Sequence, residues 1–162
     1  MAMLPLAEYL SNSYHPDCEY IDGVLKDRMT GEIDHSDAQS RLLAATRISG
    51  FWSGAAVRVH VRSERVRVPD VTIVKGGMPS GRIITAPPEV VVEVLSPEDR
   101  AADILDKIAD YLAFGIPCVW VIRPETRQAW IHTSEGAREV KDGVLRNPAG
   151  DVVIPLAAIF AG

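Results

Sequence analysis

Two carboxylates and an ammonium stand at positions from which they can do hydrolytic chemistry. Glu93 lies inside Val90-Val91-Val92-Glu93-Val94-Leu95, a run that reads as a buried strand. An isolated charge there is so costly that the glutamate has to be neutralised, paired or bound to a cation. Upstream, Asp70 closes the alternating stretch Val66-Arg67-Val68-Pro69-Asp70 and keeps the parity of Val66 and Val68, so it is expected to point with the core residues. Downstream, Asp103, Lys107 and Tyr111 recur at helical spacing and share a face. Carboxylates on adjacent strands can converge on one hard cation. Mg²⁺ takes one or two protein carboxylates and fills its remaining positions with water and phosphate oxygens. Such an ion lowers the pKa of a bound water and offsets charge on a scissile phosphate. On this reading Asp70 and Glu93 are the ligands, the backbone carbonyl of Val94 is a third, and Lys107 holds or activates the attacking water. The same residues have plainer readings. Asp103 and Lys107 also fit an exposed ion pair, Pro-Asp also marks a turn, and Glu93 also fits a buried pair with an arginine.

The elements that must position these groups follow from periodicity and breakers. Met3 to Leu10 reads as a short helix. Cys18 to Leu25 reads as an N-terminal hairpin, because Asp22-Gly23 supplies the positive φ angles of a tight turn. Thr30-Gly31-Glu32 is a loop before a helix from about Ser36 to Ile48, with Asp34 or Ser36 as its cap. Gly50 and Gly54 bracket a loop that carries Phe51 and Trp52. Val57, Val59 and Val61 then alternate with Arg58, His60 and Arg62. After a turn at Ser63-Glu64, Val66 and Val68 are expected inward and Arg65 and Arg67 outward. The run at 90–95 is apolar on both faces, which suits a strand covered on both sides. Asp99 to Phe114 is a helix stopped by Gly115. Val119–Ile122 is a further buried strand. Ala129–His132, Glu139–Lys141 and Val152–Ile154 complete a C-terminal β-meander.

Composition bounds the partners. With 162 residues, no linker and no low-complexity tract, the chain reads as a single domain over 1–162. It is 47% hydrophobic and 24% charged, ordinary for a globular protein. A net charge of -5 argues against a generic polyanion binder, so any nucleic-acid contact needs a local basic stripe. The one concentrated candidate is Arg58, His60, Arg62, Arg65 and Arg67, which fits either a phosphate grip or a solvated edge that resists aggregation. Cys18 and Cys118 lack metal spacing and read as reduced packing residues. No apolar run approaches a membrane span, so no membrane partner and a cytoplasmic location are expected.

The strings Val68-Pro69-Asp70-Val71 and Pro88 through Pro97 resemble the Uma-two group of restriction endonucleases, within the PD-(D/E)XK nuclease superfamily. The resemblance continues through Asp103, Lys107, Tyr111 and Gly115-Ile116-Pro117 to Val119–Ile122, and upstream to Glu19–Gly23 and His35. It implies an α/β (α+β) fold with a restriction endonuclease-like core, a central mixed β-sheet flanked by helices. It also implies a Mg²⁺ or Mn²⁺ site and hydrolysis of phosphodiester bonds in DNA. Asp70 matches the motif aspartate and Glu93 the second acid. Leu95 occupies the usual lysine position, and Lys107 on the next helix fits a migrated lysine. Glu19 and His35 match further family positions and are auxiliary candidates. A homodimer follows from the class, since cutting a duplex suits a two-fold assembly. The alternative is a catalytically silent nuclease-fold protein acting as a binding or assembly subunit.

Overall fold

The computed structural model describes residues 2–28 and 31–161. Helix α1 (Leu6–Ser11) precedes strands β1 (Cys18–Ile21) and β2 (Val24–Asp27). Helix α2 (Ile33–Ala45) leads into β3 (Phe51–Ala55), β4 (Val59–Arg62), β5 (Arg65–Arg67), β6 (Val71–Lys75) and β7 (Val90–Val94). Helix α3 (Ala101–Phe114) crosses to β8 (Cys118–Arg123), followed by β9 (Gln128–Thr133), β10 (Gly136–Glu139), β11 (Val144–Arg146) and β12 (Val153–Pro155).

The strands form three sheets. The largest has the order β10-β9-β8-β7-β6-β3, a second has β2-β1-β5-β4, and β11 pairs with β12 alone. In the large sheet β7 and β8 are parallel while β6–β7 and β8–β9 are antiparallel, so the sheet is mixed. The parallel pair requires a crossover, which α3 supplies. Val90, Val92 and Val94 pack with Ala38 and Leu42 of α2 and with Leu145 and Ile154 of the small hairpin. Val91, Val119 and Val121 pack on the other face with Ile104, Ile108 and Tyr111 of α3 and with Val59 and Val61 of β4. Central strand β7 is thus covered twice, as its unbroken apolar run requires.

Helix α3 ends at Gly115, whose φ of +105° is left-handed; its N–H reaches the Leu112 carbonyl, and the next N–H reaches that of Tyr111. The Asp22-Gly23 turn takes positive φ at both residues, 48° and 90°.

Several expectations need correction. The segment around Phe51 and Trp52 is strand β3, paired with β6 along its length. Gly54 marks room for the Trp52 indole, which lies where a β-carbon at Gly54 would stand. Helix α2 starts three residues before Ser36, at Ile33, and ends at Ala45; neither Asp34 nor Ser36 caps it, since Glu32 holds the cap position. Thr30, expected in the preceding loop, lies outside the described residues. Helix α1 starts at Leu6 because Pro5 is accommodated before the first turn. The stretch 66–70 is not one strand: β5 stops at Arg67, and Pro69, which lacks a ladder donor, sits where the chain passes to the other sheet. The meander holds for β8–β9–β10, ending at Glu139, but β12 leaves it to pair with β11. Both cysteines are free and buried. Among the described residues no helix is long and apolar enough to cross a membrane.

Candidate active site

Asp70 sits one residue before β6, and the ladder beside it pairs Val71 with Val92. The next positions along that register are Asp70 and Glu93, which brings the two acids to the same end of adjacent strands. The Val94 backbone N–H donates to Asp70 Oδ2 at 2.7 Å. Arg28 Nη2 donates to Asp70 Oδ1 at 3.0 Å, and His35 Nε2 lies 3.3 Å from the same oxygen. Gln39, one turn after His35 on α2, donates to the Asp70 carbonyl at 2.8 Å. Burial pushes the Asp70 carboxyl up, but the hydrogen bonds from His35 and Val94 and the Arg28 charge outweigh it and hold the pKa below the ordinary value. The same His35–Asp70 contact raises the His35 pKa against the effect of burial.

Glu93 has the opposite tendency. It is 4% exposed and faces α3. Tyr111 Oη donates to Oε1 at 2.5 Å, and Lys107 Nζ stands 3.8 Å from Oε2. Burial pushes its pKa up to about 8; Lys107 pulls it down, while the charges of Asp70 and Glu19 push it further up. Glu19, on β1, accepts the Val68 N–H at 2.8 Å and lies 3.8 Å from Lys107 Nζ. The ammonium is therefore shared between two buried acids, chiefly Glu93, and its own pKa is raised. Asp103 is 3.1 Å from Lys26, so its observed ion partner is on β2 rather than at Lys107.

These groups surround one cavity of about 160 Å³, lined by Asp70, Glu93, Lys107, Glu19, His35 and the backbone-bearing Val94. All six residues predicted from sequence come to one place. The cavity is smaller than the roughly 300–1,000 Å³ of organic-ligand pockets, a scale suited to an ion and its waters. Among the described residues no group of three or more His, Cys, Asp or Glu side chains forms a ready-made metal cage. Two carboxylates and open space fit Mg²⁺, which keeps several waters. Glu93, crowded by Asp70 and Glu19 and compensated by the Tyr111 hydroxyl and by Lys107 at 3.8 Å, is an acid in want of a further cation.

The Uma2 family, described as "Putative restriction endonuclease", matches residues 6–159. The chain belongs to the Uma2 family. Its fold is similar to the crystal structure of a "putative nuclease belonging to DUF820" from Anabaena variabilis ATCC 29413, with a TM-score of 0.82 at 18% identity over 97% of each chain. No curated protein matches significantly.

In this Uma2 member the basic ladder is not one free outward face, although Arg62 within it is exposed. Arg67, expected outward, has no exposed surface: it bonds Asp110 through Nε at 2.7 Å and Asp106 through Nη2 at 2.8 Å, and reaches Glu19 at 3.3 Å. Arg65 pairs with Asp22 and Asp110, Arg62 with Asp22, and Arg58 with Asp17. The physical reason is that the four-stranded sheet is also covered on both sides. Tyr20 and Val66 pack with α1, while the alternate positions Glu19, Arg65 and Arg67 meet α3. The signal was legible in α3, where Asp103, Asp106 and Asp110 form an acidic stripe at helical spacing and so call for basic partners. Arg28 and the Tyr111 hydroxyl were also missed as site groups. Tyr111 follows Lys107 by one turn, which was its signal; nothing in the spacing marked Arg28.

Proposed function

We propose that this chain is a metal-dependent endonuclease that hydrolyses phosphodiester bonds in DNA, built as one restriction endonuclease-like domain. One observation carries the reading: Asp70 and Glu93, at facing positions along the β6–β7 register, open on one small cavity with the Lys107 ammonium 3.8 Å from Glu93. Asp70 and Glu93 would hold Mg²⁺ or Mn²⁺, with the Val94 carbonyl as a third protein oxygen. When bound, such an ion supplies Lewis acidity toward the phosphate and acidifies a coordinated water. Lys107 orients the water that attacks phosphorus and offsets negative charge as the P–O bond to the leaving sugar oxygen breaks. Tyr111 fixes Glu93, Glu19 fixes Lys107, and His35 with Gln39 fixes Asp70. A homodimer would present two such sites to a duplex.

The second reading is the catalytically silent binding or assembly subunit. It is favoured by one feature: both Asp70 oxygens already accept from Val94, Arg28 and His35. Thermal melting with metal, alongside cleavage assays on supercoiled, linear and single-stranded DNA, separates the two. Millimolar Mn²⁺ or Mg²⁺ should raise the melting temperature by mass action, and Asp70→Ala with Glu93→Ala should abolish the rise. An unchanged melting curve refutes the metal site. Metal binding without cleavage of any substrate, together with tight partner binding, returns the silent reading.

A further inference from the structure

A second cavity of about 810 Å³ opens beside the first, and Arg28 stands in the wall of both. Its size falls within the roughly 300–1,000 Å³ of ligand-binding pockets. Its charge runs against the rest of the molecule. The chain carries a net charge of -5, yet this wall holds Arg28, Arg58 and Arg82 against Asp17, with Arg28 itself tied to Asp70 of the first cavity. Asp17 is already engaged by Arg58 through two hydrogen bonds of 2.7 and 2.8 Å. Arg82 is exposed, and the ion pairs made by arginines among the described residues do not include it. The exposed His15 lies in the same wall.

The wall also carries aromatic surface. The Arg58 guanidinium lies over the Tyr9 ring at 4.1 Å and is 5.9 Å from Tyr14, whose ring stacks on Tyr9. Tyr14 is half-buried, so part of its ring faces the cavity. Cationic groups that meet phosphates, beside an aromatic ring on which a base stacks, are the chemistry that takes a nucleic-acid strand. Resting on the nuclease reading above, we propose that this second cavity is the track for a single DNA strand continuing from the scissile phosphate. Arg28 stands at the passage between the cavities, Arg82 and His15 meet successive phosphates, and Tyr14 stacks a base.

Fluorescence anisotropy of a labelled single-stranded DNA, titrated in EDTA across a range of salt, tests this without cleavage. The Arg82→Ala, His15→Ala double variant should bind about tenfold more weakly at about 150 mM salt, and its log–log salt slope should flatten by about 0.7 for each phosphate that the protein no longer neutralises. Its melting temperature should stay at the wild-type value because both side chains are exposed, and its KM for cleavage in Mg²⁺ should rise. Lys141→Ala, at an exposed lysine outside both cavities, should leave binding unchanged. Wild-type affinity and slope in the double variant, with wild-type protein still cutting DNA, overturn the track and leave the nuclease reading standing. Wild-type protein that neither binds nor cuts DNA overturns both. Binding of RNA in place of DNA through these residues overturns the commitment to DNA.

Discussion

Glu93→Gln removes the carboxyl that burial pushes up to about 8 from an ordinary 4.5. Between those two values the folded chain retains a proton on Glu93 that the unfolded chain has released. A raised pKa of this kind contributes stability that is full below the unfolded value and is lost as pH climbs through the folded one. The gap of about 3.5 pH units, at about 1.4 kcal/mol each, is on the order of 5 kcal/mol. Glutamine is neutral throughout and still offers an oxygen to the Tyr111 hydroxyl, so the variant escapes this loss. The attraction to Lys107 that the variant lacks is already contained in the value of about 8, so it takes nothing further from the gain. His35 and Asp70 titrate in both proteins and largely cancel in the difference. Urea unfolding followed by tryptophan fluorescence, in EDTA at intervals from pH 5 to pH 9, measures the comparison. The variant should gain on wild type steadily with pH, reaching a few kcal/mol at the alkaline end. A difference that stays flat across the range would refute the account of Glu93 as a buried acid in want of a cation.

Three further outcomes follow from named contacts. Arg67→Met takes from Asp110 and Glu19 their most buried cation, leaving them Arg65 and Lys107, and should cost roughly 3 kcal/mol or less in urea melts, while the Arg67→Met, Asp110→Leu pair should recover part of that loss. Gly115→Ala forces a β-carbon into a left-handed φ of +105° and against Pro87, and should cost roughly 1 kcal/mol or more with the cooperativity of melting retained. Arg28→Met removes one cationic donor from Asp70 Oδ1; isothermal titration with Mn²⁺ should show tighter binding than in wild type, and weaker binding would show that Arg28 does not compete for that oxygen.

The sequence was most informative where chemistry and periodicity conflict. Asp70, Glu93 in an apolar strand and Lys107 on a helix face all come to one cavity, because a buried charge leaves few placements open; the parity that pointed Asp70 inward ran through a strand that stops at Arg67. Strand β7 was legible for the same reason, its unbroken apolar run needing cover on both faces. Arg67 was misread because alternation tells which residues share a face but not whether that face is covered. Only the packing of α3 turns the second face of the small sheet into interior. Trp52 and Gly54 misled in another way: glycine reads as a loop signal, yet here it leaves space for an indole within a strand. The passage at Pro69, from one sheet to the other, did leave a trace. The apolar positions are even before it (Val66, Val68) and odd after it (Val71, Ile73), a change of phase at a residue that cannot continue a ladder. Arg28 acts across 42 positions, a separation at which local pattern is silent.

That passage between sheets has a consequence for when the chain becomes competent. Glu19 comes from the four-stranded sheet and Glu93 from the six-stranded one. Lys107 and Tyr111 come from the helix between them, His35 from the helix on the opposite face, and Asp70 from the junction itself. No contiguous segment holds the set, and neither sheet alone holds it. Completion of the set therefore requires both sheets, and peeling away of the small sheet would take Glu19 from beside Lys107. The two layers act as an interlock: a chain still emerging from synthesis, or one opened at the small sheet by heat or a protease, holds the set incomplete.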